Sequence, residues 1–554
     1  MANLYGRQAF LELLTSEGVT HLFGNPGTTE LPIMQALPEY PQLQFVLGLQ
    51  ESVVLAMADG FARASRRLTA ANVHVAPGLG NAMGALYNAK FSGSPIIVTA
   101  GQQEQGHGLL EPLLYEPLPA IAAPLVKWAV EVTRVEDLPR IMRRAAKVAM
   151  TRPTGPVFIS LPGDILNARA ELDLGATVRS DQRVRPSDQA ITELARVLLS
   201  AGRPVIVAGH ELAIHGAHDA AGELATLLGA PVFQESIPYA AAFPARHSLY
   251  MGMLTRNQKQ VRASLAPHDM IVCLGADLLR MSVYSPVEPL PDGARVVHVS
   301  DRAWELGKNY RTELAIEANV RETLLALLPE LRRLADAAYR GSAQERHRQH
   351  EVANWQAQRA RACVAAANRQ SERPIAPEVL MMQITEHLPR DVIVVEEALT
   401  SSVTLPQFYG QDERSRLFGL ASGGLGFAVP GAVGISMACP GRPVVAIVGD
   451  GSALYGVQGL WTAAHFKLPI TYVIANNRSY RIIKERLLAF QGSSTFIGMD
   501  LRDPEIDYCK LAESFGLVAS RVADPSDIGA AITAAIRSGV PNLIDIAVAD
   551  GFGA

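Results

Sequence analysis

Cysteine is scarce. Cys273, Cys363, Cys439 and Cys509 are the four in 554 residues, and no two form a CxxC pair. Such spacing argues against a disulfide framework and against a zinc site, and it suits reduced thiols in a cytosol. An excess of basic charge is also missing. Lys and Arg total 50 against 54 Asp and Glu, giving a net charge of −4, so a nucleic-acid partner is not expected. No apolar run approaches the roughly 20 residues that cross a bilayer, so no membrane partner is expected either. The opening residues Met1 to Arg7 lack a basic segment followed by an apolar one. No signal peptide is therefore expected, and a cytoplasmic location is.

What is present is length, hydrophobicity and alternation. A chain of 554 residues with 48% hydrophobic content is too long for one core and predicts three domains. Helix-like and strand-like runs alternate throughout, which predicts an α/β fold of three doubly wound parallel-sheet domains. The boundaries read as 1–175, 188–340 and 372–554. In the first, helices are expected at Gly6–Glu17, Glu51–Ser65 and Asn81–Ser92, with strands at His21–Phe23, Ala70–His74 and Pro95–Thr99. A polar stretch from Ala168 to Asp188 reads as a linker. The mixed-charge run Arg340 to Arg373 reads as a solvated helix and connector.

The densest chemical signal is Gly449-Asp450-Gly451-Ser452, followed one helix and one strand later by Asn476-Asn477. Both segments end apolar strands, and strand ends of a parallel sheet lie together where α/β proteins bind ligands. One carboxylate and one amide oxygen form a hard ligand set, suited to Mg²⁺ or Ca²⁺ that keeps positions for phosphate oxygens. Gly449 and Gly451 let the backbone approach those phosphates. The plain alternative is a βαβ turn with a helix-capping Asn. Nearer the start, Gly24-Asn25-Pro26-Gly27-Thr28-Thr29-Glu30 makes a turn in which Thr28 or Thr29 can cap the next helix. Glu51 opens a helix, where an acid is commonly a dipole partner. His74 leaves a strand into a glycine-rich turn and, beside a cofactor, is a candidate acid or base.

Together these segments resemble the thiamin diphosphate-dependent decarboxylase and acetohydroxyacid synthase superfamily, and within it benzoylformate decarboxylase-like enzymes. The resemblance rests on Asn25-Pro26-Gly27, Leu49-Gln50-Glu51, Gly80 to Leu86, Thr99 to Gln103, Pro124 to Trp128, Gly423 to Ala428, Gly449 to Ser452 and Leu460 to Ala464. It spans essentially the whole chain. It implies a pyrimidine-binding, a central and a diphosphate-binding domain, with thiamin diphosphate between the first domain of one subunit and the third of another. A homotetramer built as a dimer of dimers follows. By the same resemblance, Glu51 bonds N1′ of the aminopyrimidine, and Asp450, Asn477 and the backbone oxygen of Ser479 hold the metal. Leu425 supports the bent cofactor, and Gly449, Gly451 and Ser452 surround its diphosphate. Thr400, Ser401 and Ser402 either reach the diphosphate or cap a helix. His74 and Thr28 face the substrate, and Leu113 and Leu114 stand at the pocket entrance.

The chain departs from the benzoylformate decarboxylase pattern at several points. Thr28 stands where those enzymes carry Ser, and the middle-domain segment Leu279-Arg280-Met281-Ser282-Val283-Tyr284-Ser285-Pro286 holds no His. His107, either compensating or a plain loop residue, is the other nearby histidine. Gly419 replaces an aromatic wall, which predicts a roomier pocket lined also by Met281 and Ile483. Among the basic residues after Asn477, Arg481 or Arg486 could pair with an anionic substrate group. The expected reaction is decarboxylation of a benzoylformate-like 2-oxo acid to an aldehyde. The alternative is a carboligase or synthase using an acceptor aldehyde, or a 2-hydroxyacyl thioester lyase. A flavin-dependent relative is a weaker reading, since no middle-domain motif marks a flavin.

Overall fold

The computed structural model describes residues 2–552 apart from 176–177, 238–242, 282–283 and 413–415. Three six-stranded sheets organise it, and every strand pair within them is parallel. The N-terminal sheet runs, edge to edge, Gln44–Leu47, His21–Gly24, Thr69–Val73, Ile96–Gln102, Val157–Pro162, Ala129–Glu131. The C-terminal sheet runs Arg416–Gly419, Ile393–Glu397, Val444–Gly449, Ile470–Asn476, Asn542–Ala547, Val518–Val522. Numbered within its own domain, each reads 2-1-3-4-6-5. The two outer domains thus share one topology that no repeated sequence announces. The central sheet, with Pro204–Ala208 and Met270–Leu274 in its middle, reads 3-2-1-4-5-6, the other doubly wound order. The central strands are buried along nearly their whole length, which is why they are mostly apolar runs rather than alternating ones.

Two sequence-based boundaries change. The helix after His74 begins at Val75, not Asn81, and runs to Ser92. Gly78 lies inside it because the helix passes over Glu51: a Cβ there would sit 3.0 Å from Glu51 Oε1. The supposed linker contributes a strand, Arg169–Leu172, which pairs antiparallel with Ala2–Tyr5 and buries Leu172. The charged run is helical, as Ala337–Glu351 and Trp355–Ala367, and anchors through Trp355, whose indole N–H donates to Pro406 O.

The outer domains meet where helix Glu51–Ser65 crosses helix Ala428–Ala438, both buried in one shared core. Glycine permits the approach. A Cβ on Gly434 would lie 1.9 Å from Met57 O, and one on Gly60 would lie 2.2 Å from Gly431 O. Gly434→Val is therefore expected to cost about 3 kcal/mol or more, because backbone must move. The midpoint of thermal unfolding should fall by roughly 2–3 °C or more. An unchanged midpoint would contradict this packing. The central domain is tied on through Arg152, which lies 2.9 Å from Asp301 and 2.7 Å from His215. Glu211, His215 and Asp301 have a metal-like spacing, but the Arg152 guanidinium already supplies positive charge there.

Candidate active site

Glu51 starts its helix because Gln50 caps it, accepting from the Ser52 and Val53 N–H groups. Its carboxylate is 8% exposed and accepts from Asn81 Nδ2 at 3.0 Å and Asn25 Nδ2 at 3.4 Å. The turn Asn25-Pro26-Gly27 and the helix Val75–Ser92 thus converge on it. Beside it, Ser52 and Asn81 border a cavity of about 220 Å³ whose other wall is Gly424, Leu425, Gly426 and Tyr455. The fold brings the neighbourhood of Glu51 and the Leu425 turn together within one chain.

That turn is held from below. Glu397, at the end of its strand, accepts from Gly426 N–H at 2.6 Å and Ala428 N–H at 2.5 Å. Burial pushes its carboxyl up to about 8. Gly423 and Gly426 both have positive φ, which the turn requires. Asn88 closes the other side, accepting from the Ala421 and Ser422 N–H groups.

The Gly449-Asp450-Gly451 and Asn477 segments lie together as their strand positions require. Asp450 Oδ1 accepts from Gly451 N–H and Oδ2 from Ser479 N–H, while Asn477 Oδ1 accepts from the same Ser479 N–H at 2.9 Å. Tyr508 donates to Asp450 O. Asp450 is 3% exposed, and among the described residues no cationic side chain pairs with it. Burial pushes its carboxyl up to about 6. A desolvated carboxylate lacking a counter-charge, beside an amide oxygen and a buried unpartnered Ser479 Oγ, fits a hard cation with phosphate oxygens. Ser401 Oγ is buried and unpartnered too, whereas Ser402 Oγ is taken by Glu396. Thr400 is half-buried, and Ser452 lies buried next to Gly449. Arg478, between the two ligand positions, and Leu399, before Thr400, both have positive φ. Strained backbone of this kind gathers at ligand sites.

His74 is placed with equal care. Its Nδ1 lies 2.8 Å from Glu30 Oε2 and 3.2 Å from Thr29 Oγ. Val75, next in the chain, is fully buried with φ of 41°, an outlier for a β-branched residue. Thr28 is exposed, so Thr29 rather than Thr28 meets the histidine. Glu30 could be read from sequence only as a cap, three residues after a turn glycine.

Other expected pocket residues are scattered. Leu113 is 88% exposed and Leu114 half-exposed, on a loop with Leu109 and Leu110. Gly419 is buried at the domain junction, its oxygen accepting from Arg63. Met281 packs on a central-domain cluster, and Ser282 and Val283 fall outside the described residues. Ile483 is half-exposed on helix Arg481–Gln491. The basic run is mostly engaged: Arg478 with Glu505, Arg481 with Glu485, Lys484 with Asp500. Arg486 instead lies over the Phe490 ring. His107 is exposed in its loop.

Comparison with known proteins identifies the domains. Residues 4–111, 191–327 and 400–546 match the N-terminal TPP-binding, central and C-terminal TPP-binding domains of thiamine pyrophosphate enzymes. Benzoylformate decarboxylase of Pseudomonas aeruginosa is 32% identical over 97% of this chain and 98% of its own. The chain belongs to the thiamin diphosphate-dependent enzymes. Proteins with other named activities are similar too. Glyoxylate carboligase of Escherichia coli O157:H7 is 27% identical over 96% of this chain and 90% of its own. Among solved structures, the thiamine diphosphate-dependent 4-hydroxybenzoylformate decarboxylase of Rhodococcus jostii RHA1 superposes with a TM-score of 0.85 at 32% identity, covering 99% of each chain. No helix among the described residues is long and apolar enough to cross a membrane.

Proposed function

We propose that this thiamin diphosphate enzyme decarboxylates an aryl 2-oxo acid to the aldehyde and carbon dioxide. The observation that carries the reading is the histidine His74, held by Glu30 and Thr29 next to the Asn25-Pro26-Gly27 turn that also reaches Glu51. Asp450, Asn477 and the backbone oxygen of Ser479 hold Mg²⁺ or Ca²⁺. Gly449, Gly451, Ser452 and Ser401 receive the diphosphate, and Leu425 supports the ring system. When bound, the cofactor supplies the electron sink for loss of carbon dioxide. Glu51 holds a proton at its carboxyl facing the aminopyrimidine, and His74 moves a proton at Nε2 to and from the reacting group.

A second copy of the chain completes the site, in a tetramer made of two dimers. The exposed Leu109, Leu110 and Leu113 support this, since an apolar edge of this kind suits coverage by a partner. Four unpaired thiols support a cytoplasmic location. A second reading, carboligation with an acceptor aldehyde, is favoured by the absence of His from Leu279 to Pro286, because slow protonation leaves time for another carbonyl. Thioester lyase chemistry belongs with it. NMR analysis of products separates them, using the holoenzyme and a panel of aryl and aliphatic 2-oxo acids with and without aldehyde. Aldehyde as the main product is expected; 2-hydroxy ketone as the main product would move the assignment to carboligation.

A further inference from the structure

We infer that Glu30 is a positioning residue that sets the tautomer of His74, leaving Nε2 as a proton acceptor toward the substrate; this rests on the function proposed above. Four donors converge on the Glu30 carboxylate. Gly101 N–H donates to Oε1 at 2.8 Å, Thr29 Oγ to Oε1 at 2.9 Å and Gly27 N–H to Oε2 at 2.9 Å, and His74 Nδ1 lies 2.8 Å from Oε2. Glu30 is fully buried. A carboxylate can accept from all four groups at once, and Nδ1 then carries the hydrogen that bonds it. Nε2 has no hydrogen-bond partner among the described residues, and the side chain is 23% exposed.

The surroundings leave room for nothing else. A Cβ on Gly101 would fall 2.1 Å from Glu30 Oε1, and one on Gly27 would fall 2.2 Å from His74 Nδ1. Val75, next in the chain, is strained and fully buried, which restrains the backbone that carries the histidine. The consequence is a single base that works in both directions. Nε2 takes a proton from the reacting group, and the imidazolium so formed is faced by the carboxylate. The imidazolium gives that proton back within the cycle, and the one proton that the aldehyde gains in place of the carboxylate is drawn from solvent, so Glu30 keeps its charge.

Glu30→Gln puts an amide NH₂ in place of one oxygen. Placed at Oε1, the amide would oppose both the Gly101 N–H and the Thr29 hydroxyl, so the Oε2 placement is favoured. If it replaces Oε2, it meets the Gly27 N–H and donates to Nδ1, which moves the histidine proton to Nε2. One buried donor is left unsatisfied in either case.

The test is carbethoxylation of His74 by diethyl pyrocarbonate, followed by peptide mass spectrometry, which reads the free lone pair at Nε2 and needs no substrate. In Glu30→Gln the rate is expected to fall about 10-fold, and kcat about 10- to 100-fold with KM changed less than about 3-fold. Gly27→Ala, which displaces the ring without touching the carboxylate, is expected to act the same way and decides the matter if Glu30→Gln does not fold. Wild-type modification rate and kcat in either folded variant would overturn the inference, as would failure of the wild-type His74 to react at all. If no 2-oxo acid is turned over, the function proposal fails while the labelling result still judges Glu30.

Discussion

Replacing Glu51 by Gln is expected to cut kcat by about 10³-fold while cofactor uptake stays within a few-fold of wild type. The reason is local. Two amide groups, Asn25 and Asn81, already donate to the Glu51 oxygens, so the carboxylate is held in place and not free to swing. Gln preserves volume and helix position. It removes the one exchangeable proton that the proposed role requires, and its NH₂ opposes one of the two amide donors. The residues proposed for the diphosphate end are untouched. Steady-state kinetics with a titration of cofactor by fluorescence quenching checks both halves. Turnover near wild type would remove Glu51 from the mechanism.

Asp450→Ala is expected to abolish the stabilisation that Mg²⁺ and thiamin diphosphate together confer, and with it activity at ordinary cofactor concentrations. Burial raises the Asp450 carboxyl to about 6, against about 4 in an unfolded chain. In the metal-free protein this group's contribution to stability is therefore present below about pH 4 and is lost as pH rises through about 6. A cation bound to the ionised form reverses the balance above that range, because proton and metal compete for the same oxygens. The gain in unfolding midpoint from Mg²⁺ and cofactor should accordingly be large at pH 7.5, by about 5 °C or more, and shrink toward zero at pH 5. Thermal scans at both pH values, with chelator as the blank, measure it. An undiminished shift in Asp450→Ala would place the metal elsewhere.

By itself the sequence determined the layered α/β class, the three-domain organisation and the family. These are written locally: apolar strands of a few residues, helices between them, Gly449-Asp450-Gly451 and Asn477 at strand ends, Glu51 at a helix start. Local signals survive because strand ends of a parallel sheet converge whatever the loops do. The tertiary structure alone decided the rest. Glu30 lies 44 positions from His74 and 71 from Gly101, so its carboxylate reads as a cap until the fold closes around it. The choice of Thr29 over Thr28 at the histidine turns on a single short helical turn, Thr28–Glu30. The helix start at Val75 depends on Gly78 passing Glu51, a contact between segments that periodicity cannot foresee. The strand Arg169–Leu172 needed Ala2–Tyr5 beside it to form at all. The shared strand order of the outer domains has no counterpart in residue identity, because topology is set by which apolar faces pack, and many sequences present the same faces.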